Sequence, residues 1–361
     1  MEQPKTENVI ANRQGERKTY IDLLRILSAF SVIMIHASSQ YWYTLPVDSA
    51  SWLVCNSYDA LSRFGVPVFV MISGMLFLSK EGEIDISRLY RKNILRLVVI
   101  CCVWSSAYGL ARCIPFLRTH EITLKECVKQ MLAGKYHLWF LPMLIAIYMI
   151  VPVLKIFTDH CTRKQIEYFL LLFFVLQIGR ETLAIADLSE TVSSVVGLLD
   201  VELVGGYVGY FLLGYYLYRY PLSVKKERLS YLLGAAGLVC AVVVSGYLSL
   251  RRGDGQAAVF DSFSIVTFLA STVLFVFFQN RVGKLSFSPS ARRWIREISE
   301  NTLGVYVMHL GILELLQARG ISSMSVNNVI GIPLLAFGCF IICNIAAALL
   351  RRIPLVGRYI C

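Results

Sequence analysis

Residues 22–36 read Asp22-Leu-Leu-Arg25-Ile-Leu-Ser-Ala-Phe-Ser-Val-Ile-Met-Ile-His36. Read as a helix, the eleven steps of about 100° from Arg25 to His36 come to roughly three turns. The two side chains therefore share one face, about 16 Å apart along the axis. A guanidinium and an imidazole aligned along a membrane helix are expensive and rarely accidental.

The rest of the chain shows that a membrane is the right setting. Of its 361 residues 56% are hydrophobic and only 16% charged, and the mean hydropathy is +0.61. That is too apolar for a soluble protein of this length. The charges cluster between long apolar runs, and the short alternating strands of a membrane β-barrel are absent. The fold class is all-α, a polytopic membrane protein. Ten spans are expected at about 20–43, 52–79, 94–114, 137–157, 165–180, 193–218, 229–250, 257–279, 301–318 and 327–350, each near the roughly 20 residues that cross a bilayer.

The basic residues orient these spans. With the N-terminus inside, the inner loops hold 24 of the 35 lysines and arginines and the outer loops nine, while Arg25 and Arg63 lie within spans. Both termini are therefore expected in the cytoplasm. The alternation also explains the formal charge of +11 without a nucleic-acid partner. The expected organisation is a cytoplasmic segment 1–19, one transmembrane domain 20–350 and a cytoplasmic tail 351–361. Glu16-Arg17-Lys18, an apolar run and Ala37-Ser38-Ser39 imitate a secretory signal peptide. Arg25 interrupts the approach to that run, and nine further spans need no signal, so cleavage is not expected. The ten cysteines are scattered without CxxC spacing, so neither a zinc site nor a disulfide framework is indicated, and no metal is expected.

Five groups of residues carry the chemistry. On the assigned topology Arg25 lies near the cytoplasmic interface and His36 deeper. Histidine exchanges a proton near neutral pH, as a general base on a hydroxyl must. Arginine stays charged and binds phosphate bidentately. Snorkelling to the headgroups would explain Arg25 alone; the pair on one face points to function. Arg88, Arg91, Lys92 and Arg96, at the inner start of the third span, suit either phosphate binding or positive-inside anchoring. At the outer start of the fourth span, Tyr136, Trp139 and Phe140 read as an interfacial aromatic belt, and His137 beside them as an exposed interfacial histidine or a substrate contact. Tyr306 and His309 are three residues apart and share a face; they line a cavity or cross-link helices. Phe64-Gly65-Val-Pro67 through Ser73-Gly74 reads as close helix packing with a kink. Arg63, just before it, snorkels or reaches a substrate.

Together these motifs resemble the acyltransferase-3 family of integral membrane acyltransferases, which includes bacterial surface-polysaccharide O-acetyltransferases. Arg25-x10-His36 is similar to the family's first-helix motif, and Pro67 to Gly74 to its second-helix stretch. Arg88 and Arg91 have its RxxR spacing. The segments around His137-Leu-Trp139 and Tyr306-Val-Met-His309 resemble further signatures. The resemblance spans nearly the whole chain. It implies a ten-helix core in the bacterial plasma membrane that takes acetyl, or another acyl group, from a cytoplasmic acyl-coenzyme A. The acceptor would be a hydroxyl of an envelope glycan or lipid-linked sugar. His36 would be catalytic with Arg25, and Arg25, Arg88, Arg91 and Arg96 would hold the donor's phosphates. Arg63, His137, Trp139, Tyr306 and His309 would face the acceptor. The fused extracytoplasmic SGNH-type domain of some members is not in this sequence, so direct acylation or a separate partner is expected. Homo-oligomerisation stays open. A transporter of an amino acid or sugar would also need intramembrane polar residues, but no repeated half with matching Gly/Pro breaks is seen.

Overall fold

The computed structural model describes residues 18–119, 122–185, 206–354 and 357–360. Among these the secondary structure is helical throughout, with no strand. Seven segments are long and apolar enough to cross a bilayer: Thr19–Ser38, Ala50–Leu78, Ile86–Phe116, Tyr136–His160, Val224–Arg252, Ala257–Lys284 and Asn328–Arg351. Thr302–Ala318 is apolar but shorter. By length and composition these match seven of the ten expected spans among the described residues. The fifth expected span is helical as Arg163–Leu172, a π-helical stretch Phe173–Gly179 and Arg180–Ala184. The sixth begins on residues outside those described and continues as Tyr207–Arg219. Most of the expected N-terminal segment and part of the tail also lie outside them.

The first helix, α1 (Thr19–Ser38), is the central one. Around it pack α2 (Ala50–Ser62), α3 (Gly65–Leu78), α4 (Pro289–Glu300), α5 (Thr302–Ala318) and α6 (Asn328–Arg351). Ile86–Phe116 and Val224–Arg252 are mostly exposed, and their surfaces carry Val103, Leu110, Leu232, Val239 and Val243. Exposed aliphatic rows suit lipid contact, so these segments form the rim and α1 the axis.

The expected first span overshoots. Its helix stops at Ser38, and the following turn folds Trp42 back into the interior, where its indole N–H donates to Asn56 Oδ1 (3.2 Å). The second expected span is two helices, broken at Arg63–Phe64. Pro67 explains the break, because it has no N–H to give the carbonyl four residues back and tolerates only the first turn of a helix.

Small residues set the closest approaches. A Cβ on Gly65 would collide with the Ser31 hydroxyl of α1, one on Gly74 with the Phe211 carbonyl, and one on Gly214 with the Met71 carbonyl. Gly74 and Gly214 thus serve each other reciprocally, letting α3 and the helix Tyr207–Arg219 pack backbone to backbone. Ser28 and Ser31 donate to carbonyls of their own helix, Leu24 O and Ser28 O, both at 2.8 Å. They can therefore face an apolar neighbour with no hydroxyl left unpaired.

One substitution at two helical glycines tests this packing. Gly214→Ala places its methyl on the Met71 backbone and is expected to cost about 1–3 kcal/mol by overpacking. Gly338→Ala meets open space and is expected to be neutral or to stabilise by up to about 1 kcal/mol. Thermal melts of the two purified variants in one detergent should move in opposite directions, or only the first should move.

Candidate functional site

Two helical segments meet His36 of α1. The ring of His309, from α5, lies with its centroid 5.0 Å from that of His36. His137, from the 3-10 turn Tyr136–Trp139, lies 6.5 Å from His36 and 5.1 Å from His309. Tyr136 closes the group: its hydroxyl stands 3.3 Å from His36 Nδ1. His137 and His309 are 2% and 0% exposed, whereas His36 is only partly buried. Of the three histidines, His36 is the least enclosed.

Backbone carbonyls set the states of the two hidden rings. A carbonyl oxygen only accepts, so His309 Nδ1–H donates to Tyr306 O (2.5 Å) and His137 Nε2–H to Val307 O (3.4 Å). Each neutral ring then keeps a lone pair on its other nitrogen. His309 Nε2 and His137 Nδ1 are buried with no hydrogen-bond partner among the described residues. The Tyr306 hydroxyl donates to His137 O, and Tyr108 donates to Val307 O (2.8 Å). The first fixes α5 against the turn that carries His137, and the second ties α5 to the Ile86–Phe116 segment.

Toward the opposite end of α1 lies a cavity of about 320 Å³. Its charged lining is Arg25, Lys92, Arg96 and Glu300, and its floor includes Phe140 and Tyr306. Glu300 is already paired with Arg296 (2.8 Å) and Arg351 (2.6 Å), so the cavity is net basic. Tyr306 thus belongs to this cavity and, through its hydroxyl, to the histidine group. Among the described residues no group of three His, Cys, Asp or Glu side chains is arranged to hold a metal ion.

A family model described as an acyltransferase domain matches residues 18–349. The chain belongs to the acyltransferase-3 family. No curated protein and no solved structure gives a match. The matched region contains every residue of the two sites just described, and the protein is a membrane acyltransferase.

In this acyltransferase the residues singled out by sequence divide into three sets. His36, His137, Tyr306 and His309 come together, and the aromatic belt and exposed histidine expected at 136–140 are corrected in part. His137 is buried, and Tyr136 faces His36. Arg25 and Arg96 line the basic cavity, but Arg88 and Arg91 are exposed and stand outside its lining. The helix there has a π-helical turn, Tyr90–Ile94, and the residues presented to the cavity are Lys92 and Asn93. A widened turn shifts helical register, which even spacing along the sequence does not reveal. Arg63 and Trp139 are outside the basic cavity's lining, although Arg63 is near enough for its charge to act on His36. Arg63 grips the buried Asp59 bidentately (2.7 and 2.8 Å) and lies over Phe260, 5.0 Å from its centroid. Trp139 is 47% exposed and packs on Tyr207.

Sequence reasoning read Tyr136 only as an interfacial aromatic, and missed Asn93 and the Asp59 partner of Arg63. Asp59 and Arg63 stand four apart on a helix, the spacing of an ion pair, so that signal was present.

Asp59→Asn leaves Arg63 without its counter-charge and is expected to cost about 3 kcal/mol. The apolar pair Asp59→Leu with Arg63→Met should recover most of that loss. Denaturation of the single and double variants in one micelle system measures both.

Proposed function

We propose that this protein transfers an acyl group, most simply acetyl, from acyl-coenzyme A to a hydroxyl of a cell-envelope carbohydrate, across a bacterial plasma membrane. One observation carries the reading. The basic cavity at Arg25, Lys92 and Arg96 ends on Tyr306, which is bonded to the turn carrying His137, and His137 and His309 pack against His36. A polyanionic donor with a long neutral arm fits such a path. Its phosphates sit at the cations, and its thioester passes along the Phe140–Tyr306 wall toward His36. Arg88 and Arg91, exposed beyond the cavity, provide an outer collar of charge for the same donor. By the positive-inside rule this end faces the cytoplasm, where acyl-coenzyme A is made. The acceptor then enters from the other side, past Tyr136.

The chemistry follows from the imidazole. His36 takes the proton of the acceptor hydroxyl as its oxygen attacks the thioester carbonyl. The C–S bond breaks as the C–O bond forms, and the departing thiolate receives the proton from the His36 imidazolium. Tyr136, in hydrogen-bond reach of Nδ1, orients the ring. A route through acyl-His36 would differ in kinetics, leaving a labelled acyl-protein when donor is supplied without acceptor.

His36→Ala is expected to lower kcat by about 10²-fold or more at matched expression. Lys92→Ala with Arg96→Ala should instead raise KM for the acyl-coenzyme A about tenfold or more with a smaller effect on kcat, because charge-assisted bonds to bound phosphate are lost. Steady-state transfer to envelope glycan, assayed with both substrates varied, separates the two effects. Unchanged turnover in His36→Ala would falsify the catalytic assignment.

A further inference from the structure

A second and larger cavity, about 780 Å³, lies outside the site described above, between α4 and the last turns of α6. It has two facing stripes. From α4 come Ser290, Arg293, Trp294, Glu297 and Ile298, positions that recur every three to four residues; from α6 come Asn344, Ile345, Ala348, Arg351 and the following Arg352. Each stripe is one face of a helix.

The two ends of this groove differ in chemistry. One carries Arg351 and Arg352 of α6, with Arg293 of α4 also in the lining, against Glu297 and the Glu300 that pairs with Arg351. Arg351 is fixed in place, donating to Asn301 Oδ1 (2.8 Å) and Glu300 (2.6 Å). Asn301 in turn donates to Asn344 Oδ1 (3.1 Å), and Asn344 Nδ2 is a buried donor with no partner among the described residues. The other end is apolar. Ile345 and Ala348 line it, and the exposed residues Ile341 and Ile342 extend the same helix surface away from the arginines. Trp294, 68% exposed on α4, stands beside the cations, where an indole sits in a membrane interface. α4 itself alternates Arg292, Arg293 and Arg296 with Trp294, Ile295 and Ile298, the composition of a helix lying in the headgroup plane.

We propose that this groove binds one anionic phospholipid, its phosphate between Arg293, Arg351 and Arg352 and an acyl chain along Ile345, Ile342 and Ile341. The adjoining apolar track favours a lipid over a soluble nucleotide or free phosphate, which would leave it bare. The excess of arginine favours an anionic headgroup over a zwitterionic one. Bound there, the lipid holds α4 to the membrane beside Asn301 and Glu300, and Glu300 also lines the basic cavity.

The test uses the full-length protein in detergent, with native mass spectrometry after adding phosphatidylglycerol, phosphatidylcholine or coenzyme A. The wild type is expected to retain phosphatidylglycerol in preference to phosphatidylcholine. Arg293→Ala with Arg352→Ala, both exposed and so removable without disturbing the core, should weaken phosphatidylglycerol retention about tenfold or more. Should that pair express poorly, Arg352→Gln alone should weaken it several-fold. Equal retention of the two lipids, undiminished retention in the variants, or displacement of bound phosphatidylglycerol by coenzyme A would each overturn the proposal.

Discussion

Hydrocarbon offers no hydrogen bonds, so the polar groups of a membrane helix must find partners in other helices or in their own backbone. α1 concentrates that demand. It carries Asp22, Arg25, Ser28, Ser31 and His36 within four turns, and the fold encloses it accordingly. Asp22 accepts from Ser299 at the end of α4 (2.7 Å). The two serines satisfy themselves on their own helix, and Arg25 and His36 face the two internal sites. The surrounding helices stand where they do because α1 could not be left to lipid.

The same constraint explains how the site is held. Two of its imidazoles are pinned by backbone carbonyls of α5, and the hydroxyl of Tyr306 returns the favour to the backbone of His137. Main-chain acceptors do not change rotamer, so the rings hold their orientation without any carboxylate partner. That leaves His36, whose ring's hydrogen-bond contact among the described residues is with Tyr136, as the adaptable member of the group.

Much of this was readable beforehand, for a reason visible in the residues. Arg25 and His36 declare themselves because a helix fixes which face both occupy and an apolar run makes their cost plain. Tyr306 and His309 follow by the same geometry at shorter range. What stayed hidden required either a local change in helical winding or an encounter between distant parts of the chain. The π-helical turn at Tyr90–Ile94 carries Asn93, which lines the basic cavity where Arg88 and Arg91 do not, beside the Lys92 and Arg96 already named in that cluster. Tyr136 reaches His36 from 100 residues away, and nothing in its neighbourhood distinguishes it from an interfacial aromatic. The break at Arg63–Phe64 was half legible: Pro67 foretold a kink, and the structure makes it a boundary between two helices.

The reciprocal glycines of α3 and its partner have a bearing on motion. Phe69 and Ser73, on α3, form one wall of the basic cavity, and the main chain behind that wall is clamped at Met71 and Gly74. A wall seated on another backbone has no slack to give. A ligand must therefore fit the width that this wall sets, because moving it aside would unseat two packed backbones at once.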